Sequence, residues 1–237
     1  MSLKKIFLKT KLSYRVYLYY NLYIRHKGFL NRKQFSQWGE DQEIKKFFLN
    51  DKKGVYLDIG CFHPYMYSNT VLLYKKGWNG VNVDMNPTSI DLFNIARPND
   101  VNICSAVSDE IKEFEMYYDD PFSPVNTIDK EFYKMSKHIF FKSKKTIIVK
   151  SKKFKEIIKI SKIEENIDFI NIDVEGFDYQ ILKQINFEKF KIKLIAIETH
   201  NVDGSQTKNN LQINEYLKKF NFALYKRIGP TSLFAYK

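Results

Sequence analysis

Two acids stand where this sequence could do chemistry. Asp58 falls in the apolar run Val55-Tyr-Leu-Asp-Ile-Gly60, and Asp84 closes a second run, Val81-Asn-Val-Asp84. A strand, a tight glycine turn, a helix and a second strand ended by an acid form a nucleoside-binding unit. The glycine lets backbone N–H groups approach the ligand, and the acid accepts hydrogen bonds from a ribose. Dinucleotide binding needs G-x-G-x-x-G after the first strand, because a pyrophosphate rests on bare backbone at a helix N-terminus. Here Gly60 is followed by Cys61, Phe62, His63 and Pro64, so that cradle is missing. Asp58, ahead of the glycine, repels a phosphate and suits a cation. S-adenosylmethionine (SAM) carries an ammonium and a sulfonium and no phosphate, so the pattern favours SAM over NAD. Asp58 is assigned to the methionine part, Gly60 to the close approach and Asp84 to the ribose hydroxyls, with Cys61 and Met85 as neighbouring cofactor contacts. The competing role for Asp84 is to cap the helix that follows.

The elements that must position these residues alternate along the chain. Strands are expected near 54–59, 80–84, 101–107, 168–173 and 193–198, with helices between them, including one from Pro87, one over 179–185 and one over 211–220. Ser68 or Asn69 is placed to cap the helix after the first strand. Phe222–Tyr225, a Gly229-Pro230 turn and Ser232–Tyr236 read as a terminal hairpin, so one strand runs antiparallel. The expected fold is therefore α/β, a doubly wound seven-stranded sheet similar to that of class I methyltransferases. The stretch 108–166 is too long for a plain crossover. Lys112–Tyr118 and Thr146–Lys150 are expected to add two short strands there, around a loop at 119–126, as a lid or substrate wall.

Composition limits the setting. The chain has 237 residues and a net charge of +12, but the charge is uneven. Residues 1–39 hold nine Lys/Arg and no acid, residues 130–162 hold twelve Lys against Glu131 and Glu156, and the rest is acidic. That speaks for local docking to an anionic partner, not for a uniformly basic nucleic-acid protein. Residues 1–35 form a basic extension, helical and aromatic-rich over 3–25, and 36–237 form the catalytic domain. The extension suits either peripheral contact with a membrane surface or packing on the domain or a dimer partner. With no apolar run long enough to span a bilayer, no signal peptide, and only Cys61 and Cys104, the expected location is the cytoplasm, with the inner face of the membrane as the peripheral alternative.

Several motifs then occur in a telling order: Ser36-Gln-Trp-Gly-Glu-Asp41, Asp58-Ile-Gly-Cys-Phe-His-Pro64 with Ser68-Asn-Thr70, Gly77-Trp-Asn-Gly80, Val83-Asp-Met-Asn86 and Ile172-Asp-Val-Glu-Gly-Phe177. Together they resemble the FkbM-type methyltransferase family, in the branch linked to bacterial sugar and surface-polysaccharide tailoring. The resemblance covers about residues 36–200 well and the rest of the domain loosely. Asp-x-Glu-Gly is its most specific piece, and Trp78 and Asn86 carry less weight. It implies that Asp173 and Glu175 face the transferred methyl and the acceptor.

In-line methyl transfer draws much of its acceleration, about 7–11 kcal/mol, from proximity and orientation. An acceptor hydroxyl gains further from a base near the transfer axis. His63, Asp173, Glu175 and His200 are the candidates, although His63 also reads as a loop residue fixed by Pro64. Asp173, Glu175, Glu198 and His200 would suit Mg²⁺ or Mn²⁺, but a polar wall without metal is favoured. Ser68, Asn69, Ser123 and Asn126 are small polar groups able to read sugar hydroxyls or to shape turns. The leading expectation is a SAM-dependent O-methyltransferase acting on a sugar, sugar nucleotide or glycoconjugate. The alternatives are a nucleic-acid methyltransferase docking through its Lys-rich segments, which lacks an Asn-Pro-Pro-Tyr-like motif, and a membrane-associated scaffold without catalysis.

Overall fold

The computed structural model describes residues 10–141, 145–163, 166–174 and 176–237. Along the chain, α1 (Lys11–Tyr20), a π-helical turn (Asn21–Arg25) and α2 (Lys27–Leu30) precede α3 (Glu40–Phe47). Then come β1 (Val55–Ile59), α4 (Val71–Lys75), β2 (Asn79–Asp84), α5 (Pro87–Ala96), β3 (Val101–Cys104) and β4 (Ala106–Val107). β5 (Glu113–Tyr118), α6 (Lys130–Phe140), β6 (Lys145–Lys152) and α7 (Phe154–Ser161) make up the long insertion. β7 (Phe169–Ile172), α8 (Asp178–Leu182), β8 (Leu194–Glu198), α9 (Asn210–Lys219), β9 (Phe222–Ile228) and β10 (Thr231–Tyr236) follow.

The main sheet has seven strands in the order β3-β2-β1-β7-β8-β10-β9. Only β10 is reversed, because the terminal hairpin inserts it between β8 and β9. This is the doubly wound mixed sheet expected of a class I methyltransferase. Alternation along the strands serves both faces. Leu57, Ile59, Val81, Val83, Ile170 and Ile172 join α8 and α9 in one buried cluster. Tyr56, Phe169, Leu194 and Ala196 point the other way, against Ile44, Phe48 and Trp78. A Cβ on Gly54 would lie 2.6 Å from the Trp78 ring, so Trp78 is a core plate and more than an incidental motif residue.

The expected strand over 101–107 is two strands. The chain breaks at Ser105, whose N–H donates to the Asp84 carbonyl (2.9 Å), while its hydroxyl donates to the Lys150 carbonyl (3.0 Å). β3 thus stays in the main sheet and β4 opens a small one, in the order β4-β6-β5. β5 and β6 correspond to the two strands expected in the insertion.

At the N-terminus, Thr10 and Ser13 close a capping box on α1. Leu18 and Leu22 pack on Leu92 and Ala96 of α5, beside Tyr14 and Phe122. The extension is therefore docked on the domain along one face. Among the described residues, no helix is long and apolar enough to cross a membrane.

Candidate active site

The carboxyl ends of β1, β2 and β7 open onto a cavity of about 720 Å³, whose lining includes Gly60, Asp84, Met85, Asn126, Asp173 and His200. Gly60 sits at φ +84°, and a Cβ there would lie 1.8 Å from the Asp173 carbonyl oxygen. No side chain fits where β1 and β7 converge, so bare backbone borders the cavity. Asp84 is anchored at both oxygens: Phe62 N–H donates to Oδ2 (2.8 Å) and Asn86 N–H to Oδ1 (2.7 Å). Each oxygen keeps a second lone pair. Burial, opposed only in part by those bonds, pushes the Asp84 carboxyl up to about 6. Asn86, not Asp84, caps α5, accepting from Thr88 N–H (3.0 Å). Its amide also donates to the Pro121 carbonyl (2.7 Å) and so ties the 119–126 loop to the cavity edge.

Gln37 reaches the same cavity from a turn that braces itself. The Ser36 hydroxyl donates to Asp41 Oδ1 (2.6 Å), Phe35 N–H to Asp41 Oδ2 (2.8 Å) and Trp38 N–H to Glu40 Oε2 (2.8 Å). The motif was visible in the sequence, but Gln37 as a lining residue was not.

Asp58 differs from expectation. It is buried beneath the cavity, outside its lining, and both oxygens accept bonds within the domain. Thr70 Oγ1–H donates to Oδ2 (2.7 Å) and Asn171 Nδ2 to Oδ1 (2.8 Å). The cation nearby is the chain's own Arg97, fully buried. Its guanidinium donates to Thr70 Oγ1 (2.8 Å), Tyr56 Oη (3.2 Å), Asn82 Oδ1 (3.4 Å), the Pro64 carbonyl (2.6 Å) and Ser68 Oγ (3.0 Å). Tyr56 in turn donates to Asp100, which also accepts from Gly80 N–H (2.8 Å). One hydroxyl thus stands between Arg97 and each carboxylate: Thr70 toward Asp58, Tyr56 toward Asp100. Desolvation raises the Asp58 carboxyl above its usual range, against the bonds from Thr70 and Asn171 and the Arg97 charge.

This network also redirects the 61–70 loop. Ser68 serves Arg97, and Asn69 Nδ2 donates to Asn171 Oδ1 (2.9 Å). Neither lines the cavity, and neither caps α4, which follows Thr70 with no side-chain cap. His63 is buried as well. Its Nδ1 accepts from Tyr65 N–H (3.1 Å) and Met66 N–H (3.0 Å), so the proton sits on Nε2, which has no partner. Burial pushes its pKa down to about 3. With its only basic nitrogen occupied and no place in the cavity wall, His63 is a loop anchor. Cys61 packs with Ile90 and Phe93, again away from the lining, and burial raises its thiol pKa.

Ser123 and Asn126 do line the cavity. Asn126 is buried with both amide atoms unpartnered. A second cavity of about 410 Å³ shares Asp129, Phe132, Glu198 and Asn201 with the first and adds Asp178, Thr207, Lys208 and Asn209. The two form one trough. Asp178 shapes the turn beside it, accepting from Val174 N–H (3.2 Å) and Gly176 N–H (3.0 Å). His200 Nδ1 shares a hydrogen bond with Thr199 Oγ1 (2.8 Å), and Thr199 Oγ1 pairs with Ser232 Oγ (2.6 Å). Burial, then the Arg227 charge, lower the His200 pKa. Asp173 is exposed in the trough wall, and Glu175 lies outside the described residues. Asp173, Glu198 and His200 share the first cavity, yet among the described residues no three His, Cys, Asp or Glu side chains converge as a metal site.

A doubly wound sheet with an acid-ended β2 beside a glycine-edged cavity defines a nucleoside-binding α/β enzyme. The chain matches the methyltransferase FkbM domain over residues 54–224 and belongs to that family. It is a SAM-dependent methyltransferase. No curated protein matches it. Among solved structures it is similar to a TehB-like SAM-dependent methyltransferase from Corynebacterium glutamicum (TM-score 0.46, 12% identity, covering 96% of this chain and 100% of that one). It is also similar to an O-methyltransferase from Bacillus cereus in complex with SAH (TM-score 0.43, 11% identity, 96% and 92% covered) and to the 16S rRNA methylase ArmA (TM-score 0.37, 12% identity, 100% and 92% covered).

Proposed function

We propose that this enzyme O-methylates a hydroxyl of a sugar, sugar nucleotide or glycoconjugate. The carrying observation is the second limb of the trough. Asp129, Asp178, Glu198, Asn201, Thr207, Lys208 and Asn209 line it with Phe132 as its one aromatic ring. Such a wall suits a hydroxyl-rich acceptor. A flipped nucleobase needs aromatic faces to stack on; Phe62, Tyr67, Phe140 and Phe177 line the first limb, and the second limb has Phe132 alone, which favours a sugar over a base there.

The first limb suits SAM, which when bound supplies an electrophilic methyl on sulfonium. The Gly60 backbone leaves room that a Cβ would fill. The Asp84 carboxylate, held by two backbone N–H groups, offers its remaining lone pairs to ribose hydroxyls, with Met85 beside it. The unpartnered Asn126 amide and Ser123 offer polar contacts to ligand across the cavity. Asp58 acts from beneath, holding the turn through Thr70 and Asn171. Its part is to position backbone and not to touch cofactor.

For the acceptor we assign His200 as general base. With Nδ1–H donating to Thr199 Oγ1 and that hydroxyl donating to Ser232, the Nε2 lone pair is left for the acceptor proton. The lowered pKa keeps the ring neutral at neutral pH. Asp173, exposed in the same wall, is assigned to orienting the acceptor. The test is to incubate the protein with methyl-labelled SAM and a panel of nucleotide sugars, with tRNA and DNA in parallel. Label should appear in a sugar as a base-stable ether. Transfer to nucleic acid alone, or only to base-labile esters, would overturn the reading.

A further inference from the structure

The outer face of α1 and the turn after it is unaccounted for by catalysis. Leu12, Val16, Tyr19, Tyr20, Tyr23 and Ile24 are all exposed, from 39% at Tyr23 to 75% at Leu12. They recur at spacings of three and four residues and form one continuous stripe. The opposite face is already used, with Leu18 and Leu22 buried on α5. The stripe is therefore not a core face waiting for the rest of the fold. Its edges are cationic: Lys11, Arg15, Arg25 and Lys27 are exposed, and no acid lies anywhere in residues 1–39 to offset them.

We propose that this face docks the enzyme on an anionic lipid bilayer, lying in the interface plane. Aromatic and aliphatic side chains from one helix face enter the headgroup boundary, and basic residues along its edges meet lipid phosphates. Tyrosines are suited to that depth because the ring is apolar and the hydroxyl stays hydrated. A related composition recurs on α6, where Met135 (76%) and Ile139 (75%) are exposed among exposed Lys130, Lys134 and Lys137, with Glu131 as the acid of its first turn. α6 is joined to α1 through the loop whose Phe122 ring meets Tyr17 edge-on at 5.3 Å. A self-associating protein face would carry some compensating acids. Asp91, which accepts from the Tyr14 hydroxyl on the domain side, and Asp120, beside Tyr17, are the acids that come near; the helix and the turn themselves carry only positive charge around the Tyr/Leu/Ile/Val stripe, which matches a phosphate-rich surface. The inference does not depend on what the enzyme methylates.

The experiment uses the full chain and sedimentation with two kinds of vesicle, phosphatidylcholine alone and phosphatidylcholine mixed with phosphatidylglycerol. Wild type should pellet with the mixed vesicles at low salt, much less with phosphatidylcholine alone, and progressively less as salt rises. Val16→Ser/Tyr20→Ser/Ile24→Ser and, separately, Arg15→Gln/Lys27→Gln should each weaken partitioning about tenfold or more. Both variants should retain wild-type SAH binding, which reports an intact domain. Failure of wild type to bind mixed vesicles at low salt overturns the proposal. So does a concentration-dependent dimer in ultracentrifugation that the serine variant abolishes, which would give the stripe to a second copy. Vesicle binding left intact by both variants overturns it too.

Discussion

Arg97→Met is the sharpest perturbation of this structure. Methionine replaces most of the arginine stem, so little cavity forms. What is lost is the guanidinium and its bonds to Tyr56, Thr70, Asn82, Pro64 and Ser68. Asp58 and Asp100 then face a buried network with no cation. Removing one side of such a network costs about 3–5 kcal/mol. For a chain of this size each kcal/mol moves Tm by about 2–4 °C, so a fall of about 6–20 °C is expected in a thermal melt. The pH dependence gives a second readout. Burial already raises Asp58 above its unfolded value, and losing Arg97 raises it further. A carboxylate whose folded pKa exceeds its unfolded pKa contributes stability at low pH that is lost as pH rises through the folded value. The deficit of Arg97→Met should therefore grow as pH rises through the folded value. A Tm loss under about 3 °C, or a deficit that stays constant from acid to alkaline pH, would refute the reasoning.

Ribose hydroxyls donating to Asp84 favour its charged form, so SAH affinity measured by calorimetry should fall as pH drops through the value of about 6. Asp84→Asn should bind about 10- to 100-fold more weakly, with that pH dependence gone. An unchanged pH profile in the variant would remove Asp84 from the ligand. Gly60→Ala must place a methyl 1.8 Å from the Asp173 carbonyl at φ +84°; SAH-induced stabilisation should vanish in a melting assay, and its retention would show that the turn is not the cradle. His200→Gln should keep SAH affinity while cutting transfer by about 10²–10⁴-fold. In wild type the acid limb of the turnover profile should lie below the ordinary histidine value, because burial lowers the His200 pKa. Full turnover in the variant would move the base elsewhere.

The sheet was legible because its signals are local: acid-ended apolar runs, glycine turns and a Gly-Pro hairpin. The insertion strands and α5, with Pro87 in its first turn, were legible for the same reason. What escaped is chemistry assembled across distance. Arg97 follows a helix and Asp100 precedes a strand, and each alone reads as a solvated end. Only the fold brings them to Tyr56, Thr70 and Asp58, and that meeting turned Ser68, Asn69 and Asp58 inward. His63 looked catalytic by residue type, but two backbone N–H groups two and three residues on claim its acceptor nitrogen. The break at Ser105 had no local signal either, because apolar residues continue across it. Its cause is a pairing with Lys150 that the sequence cannot display.

The Gly229 turn bears on the order in which this protein is built. A Cβ on Gly229 would lie 2.6 Å from the Trp38 ring. Thr231 Oγ1 donates to Glu40 across a separation of 191 residues (3.5 Å), and Lys226 pairs with Glu43 (2.9 Å). β10 meanwhile fills the slot between β8 and β9. The segment that carries Gln37 into the cavity is thus translated early, yet it finds its seat only after the hairpin leaves the ribosome. Closure of so long a loop is slow. During synthesis the nascent chain carries an open sheet edge at β8 and an unfinished ligand cavity. Catalytic competence therefore waits on the docking of the β9–β10 hairpin, not on the folding of β1 and β2.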